Sequence, residues 1–159
     1  MKKLRLSLLA AGALLAAPPA GPYDITLQAT AKAPSAQGQA RLVFASSPFG
    51  IAVTADGRAR YDIQVTASNL PAASSLGSYS SFVAWEVSTD LSSWRRLGVV
   101  NNGKSTVGQA ELNKFLFVIT AEADSAATTH AGPTILHGHS PSGWLQSFLT
   151  HPLFRGVSQ

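Results

Sequence analysis

The histidines are the residues of this sequence best suited to bind a metal ion, and three of the four lie close to the C-terminus. His137 and His139 are two residues apart, so on an extended strand both imidazoles point to the same side, roughly 6.5–7 Å apart at the backbone. Zinc and copper accept nitrogen ligands in this arrangement, and His130 or His151 could supply a third. Histidines near a strand end are more often surface residues. We therefore predict no cofactor, with a zinc or copper site at His137 and His139 as the alternative.

Ser140 lies in a segment, Gly138–Gly143, that partly matches the G-x-S-x-G motif of serine hydrolases. The second glycine comes one residue late, and Pro141 follows the serine. In the hydrolase motif the residue after the serine donates its backbone N–H to the oxyanion, and proline has no N–H to donate. We instead expect Ser140 to cap a C-terminal helix that begins at Pro141.

The eight carboxylates are scattered singly along the chain. A glycosidase needs two of them facing one sugar across about 5–9.5 Å, and nothing in the sequence brings such a pair together. Asp62 and Glu86 fall on the polar sides of predicted strands, and Glu122 falls at a strand end. We interpret all three as solvated side chains. The absence of cysteine excludes thiol chemistry and cysteine-ligated zinc. We predict no catalytic residues and no enzymatic activity.

The C-terminal segment, residues 140–159, carries an apolar stripe that something must cover. Its apolar side chains recur at one-, three- and four-residue spacings, as on one face of a short helix, and Pro152 should end that helix. The segment either packs against the protein's own sheets or docks onto a partner, since Trp and Phe often anchor interfaces. The residues predicted to bind a partner are Trp144, Leu145, Phe148, Leu149 and Phe154.

Residues 21–139 must position these groups, and their pattern has a period of two with frequent turn signals, which is typical of antiparallel strands. Asp56-Gly57 and Asn102-Gly103 mark tight turns. Residues 115–123 are apolar on both sides and predict a central strand buried on both faces. Eight or so short strands predict a single all-β domain, an Ig-like antiparallel β-sandwich with a short C-terminal helix. The expected core includes Trp85, Phe115, Phe117 and Ile119.

The first 20 residues predict a signal peptide. A basic start precedes the apolar run Leu6–Ala17, which is shorter than the ~20 residues of a membrane-spanning helix. Cleavage would leave a periplasmic or secreted protein without a transmembrane helix. Three of the 12 basic residues lie in this segment, so nine remain against eight acidic residues. No basic run remains, which disfavours nucleic acid as a partner.

The segment from "SYSSFVAWEVS" through "RLGVVNNGKSTVGQAELNKFLFVITAEADSAATTHAGPTILHG" resembles the extracytoplasmic C-terminal domain of anti-sigma-K-type factors. The resemblance covers residues 79–138 and implies a β-rich extracytoplasmic fold. Members of that family carry a sigma-binding segment and a transmembrane helix before this domain. Neither is expected here, so anti-sigma activity is not carried over. The matching positions are Tyr79, Trp85, Leu97, Gly98, Gly103, Thr120, Glu122, Gly132, Pro133 and Gly138.

Together these features predict an exported, non-enzymatic binding or accessory module that docks through its aromatic C-terminal tail. The partner would be another periplasmic or membrane protein. One alternative is a periplasmic copper- or zinc-handling protein that uses His137 and His139. Another is an extracytoplasmic sensor component of an anti-sigma-type system.

Overall fold

The computed structural model describes residues 21–48, 50–52, 55, 60–112 and 114–141. The predicted signal peptide lies outside the described residues, as does the apolar stripe formed by Trp144, Leu145, Phe148, Leu149 and Phe154. Strands dominate the described part, with one 3-10 turn (η1, Ala73–Leu76). The strands are β1 (Asp24–Ala29), β2 (Gln37–Phe44), β3 (Ser46–Ser47), β4 (Gly50–Ile51), β5 (Tyr61–Ser68), β6 (Ser81–Ser88), β7 (Trp94–Val100), β8 (Gly103–Ala110), β9 (Phe115–Glu122) and β10 (Thr134–His139).

Eight of these strands form one antiparallel sheet that nearly closes on itself. Their order is β7-β6-β9-β10-β1-β2-β5-β8, and β3 pairs with β4 separately. The two edge strands, β7 and β8, follow each other along the chain and turn at Gly103, whose φ is 99°. The two strands approach each other closely at Gly108, where a Cβ would lie 2.9 Å from the Leu97 carbonyl oxygen. The prediction of an all-β antiparallel fold is confirmed.

The inner face of this sheet holds the main core. In β5, Ile63, Val65 and Ala67 are fully buried, whereas Gln64 and Thr66 between them are exposed. This alternation places one side of the strand in the core and the other in water. From the opposite wall, β9 contributes side chains predicted to be core: Phe115, Phe117 and Ile119.

Strands β6 and β9 are buried on both faces, as predicted for β9. The register pairs Ala84 with Ile119 on the inner face and Trp85 with Val118 on the outer face. A second apolar cluster therefore covers the outer face of these two strands. We call it the outer cluster; it consists of Val83, Trp85, Val87 and Val118, flanked by Trp94 and Leu116. Trp85 is buried as predicted, but in this cluster rather than with the main core.

Candidate functional site

A buried hydrogen-bonded chain links the outer cluster to a carboxylate. The indole Nε1 of Trp85 donates to Thr120 Oγ1 at 2.7 Å, and the Thr120 hydroxyl donates to Glu122 Oε1 at 2.6 Å. Glu122 is only 2% exposed. The interpretation of Glu122 as a solvated side chain is therefore wrong, because its strand is covered on both faces.

Glu122 also anchors the loop between β9 and β10, residues 123–133. Its carboxylate accepts the backbone N–H groups of Ala131 and Gly132 at 3.2–3.4 Å. A Cβ on Gly132 would lie 1.6 Å from the Ala121 carbonyl oxygen, so only glycine allows this close approach. Glu122 thus holds the end of this loop against the end of β9, beside the outer cluster.

This loop places His130 on the indole of Trp94. The two rings are stacked with centroids 3.6 Å apart and planes 14° apart, and His130 also meets Trp85 edge to face at 6.2 Å. Aromatic contacts of this kind hold the imidazole in place. His130, considered above as a third metal ligand, packs on Trp94. Among the described residues, no group of three or more His, Cys, Asp or Glu side chains could hold a metal ion.

His137 and His139 both lie on the outer face of β10. The register pairs His137 with Val118 and His139 with Leu116, both residues of β9. His137 is half-buried and His139 is exposed. The two imidazoles therefore share one face, as the two-residue spacing predicts. Their neighbours in β9 are apolar, whereas the β1 neighbour of His137 is the polar Gln28.

Ser140 is buried and engaged with the backbone rather than poised for attack. Its Oγ accepts the N–H of Phe115 at 2.9 Å, and its own N–H donates to the Phe115 carbonyl at 2.9 Å. The serine therefore ties the end of β10 to the start of β9. The helix that Ser140 was expected to cap lies almost entirely outside the described residues.

Glu86 is a second buried carboxylate, placed on the inner face of β6 beside the start of β7 and the end of β8. Its Oε1 accepts the N–H groups of Glu111 and Leu112 at 2.9 and 2.8 Å, and its Oε2 accepts Arg95 Nε at 2.7 Å. The Arg95 guanidinium also donates to the Gln109 carbonyl. Glu86 is 1% exposed, so the prediction of a solvated side chain is wrong. These contacts join β6 and β7 to the end of β8.

Three aromatic rings, absent from the sequence-based list of site residues, meet at one end of the sheet. Tyr23 precedes β1, Phe44 ends β2 and Tyr61 begins β5, and their ring centroids lie 4.9–6.5 Å apart. We call this group the aromatic rim. Tyr61 packs partly on the main core, while Tyr23 and Phe44 remain 44% and 40% exposed. The sequence could have indicated this cluster, because each of the three aromatic residues lies at a strand end and continues the alternation of the core-facing residues of its strand.

Two ion pairs involve residues that neighbour the aromatic rim in the sequence. Arg41 Nε binds Asp24 Oδ1 at 2.7 Å, and Arg60 contacts Glu111 at 3.4 Å. Hydrogen bonding to Arg41, with a further contribution from the Gly21 N–H, lowers the pKa of Asp24. Burial, with a smaller contribution from Tyr23, raises the pKa of the Tyr61 hydroxyl, which stays neutral.

A shallow groove of about 420 Å³ crosses the outer face of β2, β5 and β8. Neither a carboxylate nor a histidine is among its described lining residues, so it has no group suited to proton transfer at neutral pH. Its mostly polar lining is typical of the water-facing side of an antiparallel sheet. The lining residues are Gln39, Arg41, Gln64, Val65, Thr66, Lys104, Ser105 and Thr106.

Comparison with protein-family models, curated proteins and solved structures finds no match to this chain. Within the described ranges, no helix is long and apolar enough to cross a membrane.

Proposed function

We propose that this protein is an exported, non-enzymatic binding or accessory module whose contact surface is the aromatic rim. The observation that carries the proposal is the exposure of Tyr23 and Phe44, at 44% and 40%, in a cluster with Tyr61. Clustered, half-exposed aromatic side chains at a strand end are a common basis for protein recognition, because they bury large area with little loss of side-chain freedom.

The charges around the rim favour an uncharged protein partner. Asp24 pairs with Arg41, and Glu111 pairs with Arg60, so these described charges next to the rim are paired, and the rim itself offers apolar rings and tyrosine hydroxyls. Such a surface fits an apolar segment that also carries hydrogen-bonding groups. It gives little attraction to a polyanion, which requires clustered cations.

The C-terminal segment leaves the sheet at the same end as the rim. β10 runs antiparallel to β1, so Ser140, at the end of β10, lies toward the start of β1, where Tyr23 is found. Docking through the tail residues Trp144, Leu145, Phe148, Leu149 and Phe154 is therefore a second route to a partner at the same end. Export itself is supported by the basic and apolar pattern of residues 1–20.

An Ig-like sandwich is our proposal for the finer classification of the fold. It is supported by two groups of four strands, β1-β2-β5-β8 and β7-β6-β9-β10, that face each other across the main core. The resemblance of residues 79–138 to anti-sigma-K-type factors supports the alternative of an extracytoplasmic sensor component.

Metal handling through His137 and His139 is the second candidate function. It is supported by the placement of both imidazoles on the outer face of β10. Titration of Cu(II) or Zn(II) into the protein and into the variant His137→Ala/His139→Ala tests it. Micromolar binding that is lost in the variant would favour metal handling, and equal weak binding by both proteins would exclude it.

Site-specific photo-crosslinking in the producing cells tests the rim. A photoreactive phenylalanine analogue replaces Phe44 in one variant. In the control variant it replaces Leu91, which is 57% exposed in the β6–β7 turn. We expect one crosslinked species of discrete mass from position 44, and its loss on adding Tyr23→Ser. No species from position 44, or the same species from position 91, would refute the rim as the contact surface.

A further inference from the structure

We propose that the aromatic rim binds a proline-rich segment of a partner protein in the polyproline II conformation. The inference rests on the proposed function, because it names the kind of segment that the rim would bind. A polyproline II helix has no internal hydrogen bonds, so its carbonyl groups stay free to accept hydrogen bonds from a binding surface. Domains that recognise such segments do so with clustered aromatic side chains.

The rim presents exposed aromatic faces at the spacing of this helix. Tyr23 and Phe44 are 44% and 40% exposed, and their rings meet at 69°, whereas Phe44 and Tyr61 are inclined at 36°. The rings therefore offer separate faces rather than one flat surface. Their centroids lie 4.9–6.5 Å apart. Residues two apart along a polyproline II helix advance about 6 Å, so two prolines at that spacing can each pack on a different ring.

The rim also supplies donors for the free carbonyl groups of such a segment. A tyrosine hydroxyl can donate one hydrogen bond. Among the described residues, no hydrogen bond engages the hydroxyl of Tyr23 or of Tyr61. Proline has no N–H, so a proline-rich segment needs donors from its partner and offers few in return. The two tyrosines match this one-sided requirement.

The other common ways of binding a peptide fit the rim less well. Addition of a strand needs an open sheet edge, but β1, β2 and β5 are each paired on both sides. An amphipathic helix needs an apolar stripe of two turns, about 11 Å long, whereas the three ring centroids lie within 6.5 Å of one another. A phosphorylated or acidic segment needs unpaired arginines, and the arginines that neighbour the rim in the sequence, Arg41 and Arg60, are paired with carboxylates.

Titration of a decaproline peptide into the isotope-enriched full-length protein tests the proposal by NMR. We expect saturable shifts of the Tyr23, Phe44 and Tyr61 signals, with a Kd below about 1 mM. A peptide of alternating glycine and serine, of the same length, is the peptide control. It is uncharged but flexible, and it should shift none of these signals.

Two rim variants and one matched control variant identify the contacts. Tyr61→Phe keeps the ring and removes the hydroxyl, and should weaken decaproline binding about three- to tenfold, as loss of one hydrogen bond does. Tyr23→Ser removes an exposed ring and should weaken it at least about tenfold. Tyr79→Phe removes the hydroxyl of a half-buried tyrosine that precedes β6, at the opposite end of the sheet, and should leave the Kd unchanged. Unchanged signals from β6 and β9 show that each variant keeps the fold.

Three results would overturn the proposal: no saturable shift at the rim, equal binding of the glycine–serine peptide, or decaproline binding that neither rim variant weakens. Binding of cellohexaose at the rim in place of decaproline would also overturn it, in favour of a neutral sugar chain. Failure of the proposed function is distinguishable, because the photo-crosslink from position 44 assumes nothing about the partner's sequence. A crosslink from position 44 without decaproline binding would keep the rim as the contact surface and overturn only its preference for proline.

Discussion

Trp85 Nε1 lies 2.7 Å from Thr120 Oγ1, and this hydrogen bond joins the outer cluster to the anchored β9–β10 loop. The bond satisfies the indole N–H in a place where Trp85 is entirely excluded from water. Because the Thr120 hydroxyl donates onward to Glu122, one threonine serves two buried partners at once. The loop that carries His130 onto Trp94 is held by the same carboxylate.

Removal of the Thr120 hydroxyl should destabilise the fold. In Thr120→Val the shape of the side chain is kept, but Trp85 Nε1 loses its acceptor and Glu122 loses a donor. We expect a loss of about 2–3 kcal/mol in the free energy of unfolding, since unsatisfied buried polar groups cost about 1–3 kcal/mol each. Urea unfolding followed by tryptophan fluorescence measures it. Thr120→Ser keeps the hydroxyl and should recover most of the loss; an equal loss in both variants would contradict the hydrogen-bonded role.

Glu86 should matter more for stability than the exposed ion pair near it. Glu86→Ala leaves two backbone N–H groups and Arg95 without their carboxylate, and we expect a loss of about 3 kcal/mol. Glu111→Ala breaks the Arg60–Glu111 pair, in which both side chains are about two-fifths exposed, and should cost less than about 1 kcal/mol. Thermal unfolding of both variants gives the comparison. Similar losses of unfolding free energy in the two variants would contradict a larger stabilising role for the buried Glu86.

Asp90 gives the fold an acid-sensitive turn between β6 and β7. Hydrogen bonds from the Ser88 and Ser92 hydroxyls lower the pKa of Asp90 from 3.8 to about 2. A carboxylate with a lowered folded-state pKa stabilises the fold fully above its unfolded-state pKa, and that stabilisation is lost as pH falls through about 2. Carboxyl NMR titration should find Asp90 titrating near pH 2. In Ser92→Ala the pKa should rise toward its ordinary value; an unchanged pKa would contradict this cause.

Gly132 should tolerate no side chain. A Cβ there would overlap the Ala121 carbonyl oxygen at 1.6 Å, so Gly132→Ala must displace the loop or the end of β9. We expect a loss of at least about 2 kcal/mol, comparable with other severe steric changes. Loosening of the loop should also separate His130 from Trp94 and change the near-ultraviolet circular dichroism. A fully stable variant with an unaltered spectrum would refute the close approach.

The sequence predicts strands well where alternation reports burial directly. β5 shows alternation of buried Ile63 and Val65 with exposed Gln64, and the apolar run of β9 indicates burial on both faces, so both predictions are confirmed. The Asn102-Gly103 turn is confirmed because glycine at positive φ marks it locally. The Asp56-Gly57 turn lies outside the described residues.

The sequence fails where burial depends on partners far along the chain. Glu86 has the alternation of a water-facing residue, but its carboxylate is enclosed by Arg95 and by backbone groups at 111 and 112, which only the closed sheet brings together. The aromatic rim was not predicted for the same reason, because Tyr23 and Tyr61 become neighbours only through the register of β1, β2 and β5.

Amide hydrogen exchange tests most directly the arrangement on which the rest depends, namely that β6 and β9 lie between two buried apolar layers. The amides of Trp85, Val87 and Val118 should exchange only through global unfolding, and should be slower than those of Gln64 and Thr66 in β5, whose outer face meets water. Exchange of the β6 and β9 amides at the same rate as those of β5, or faster, would contradict a second buried layer on the outer face.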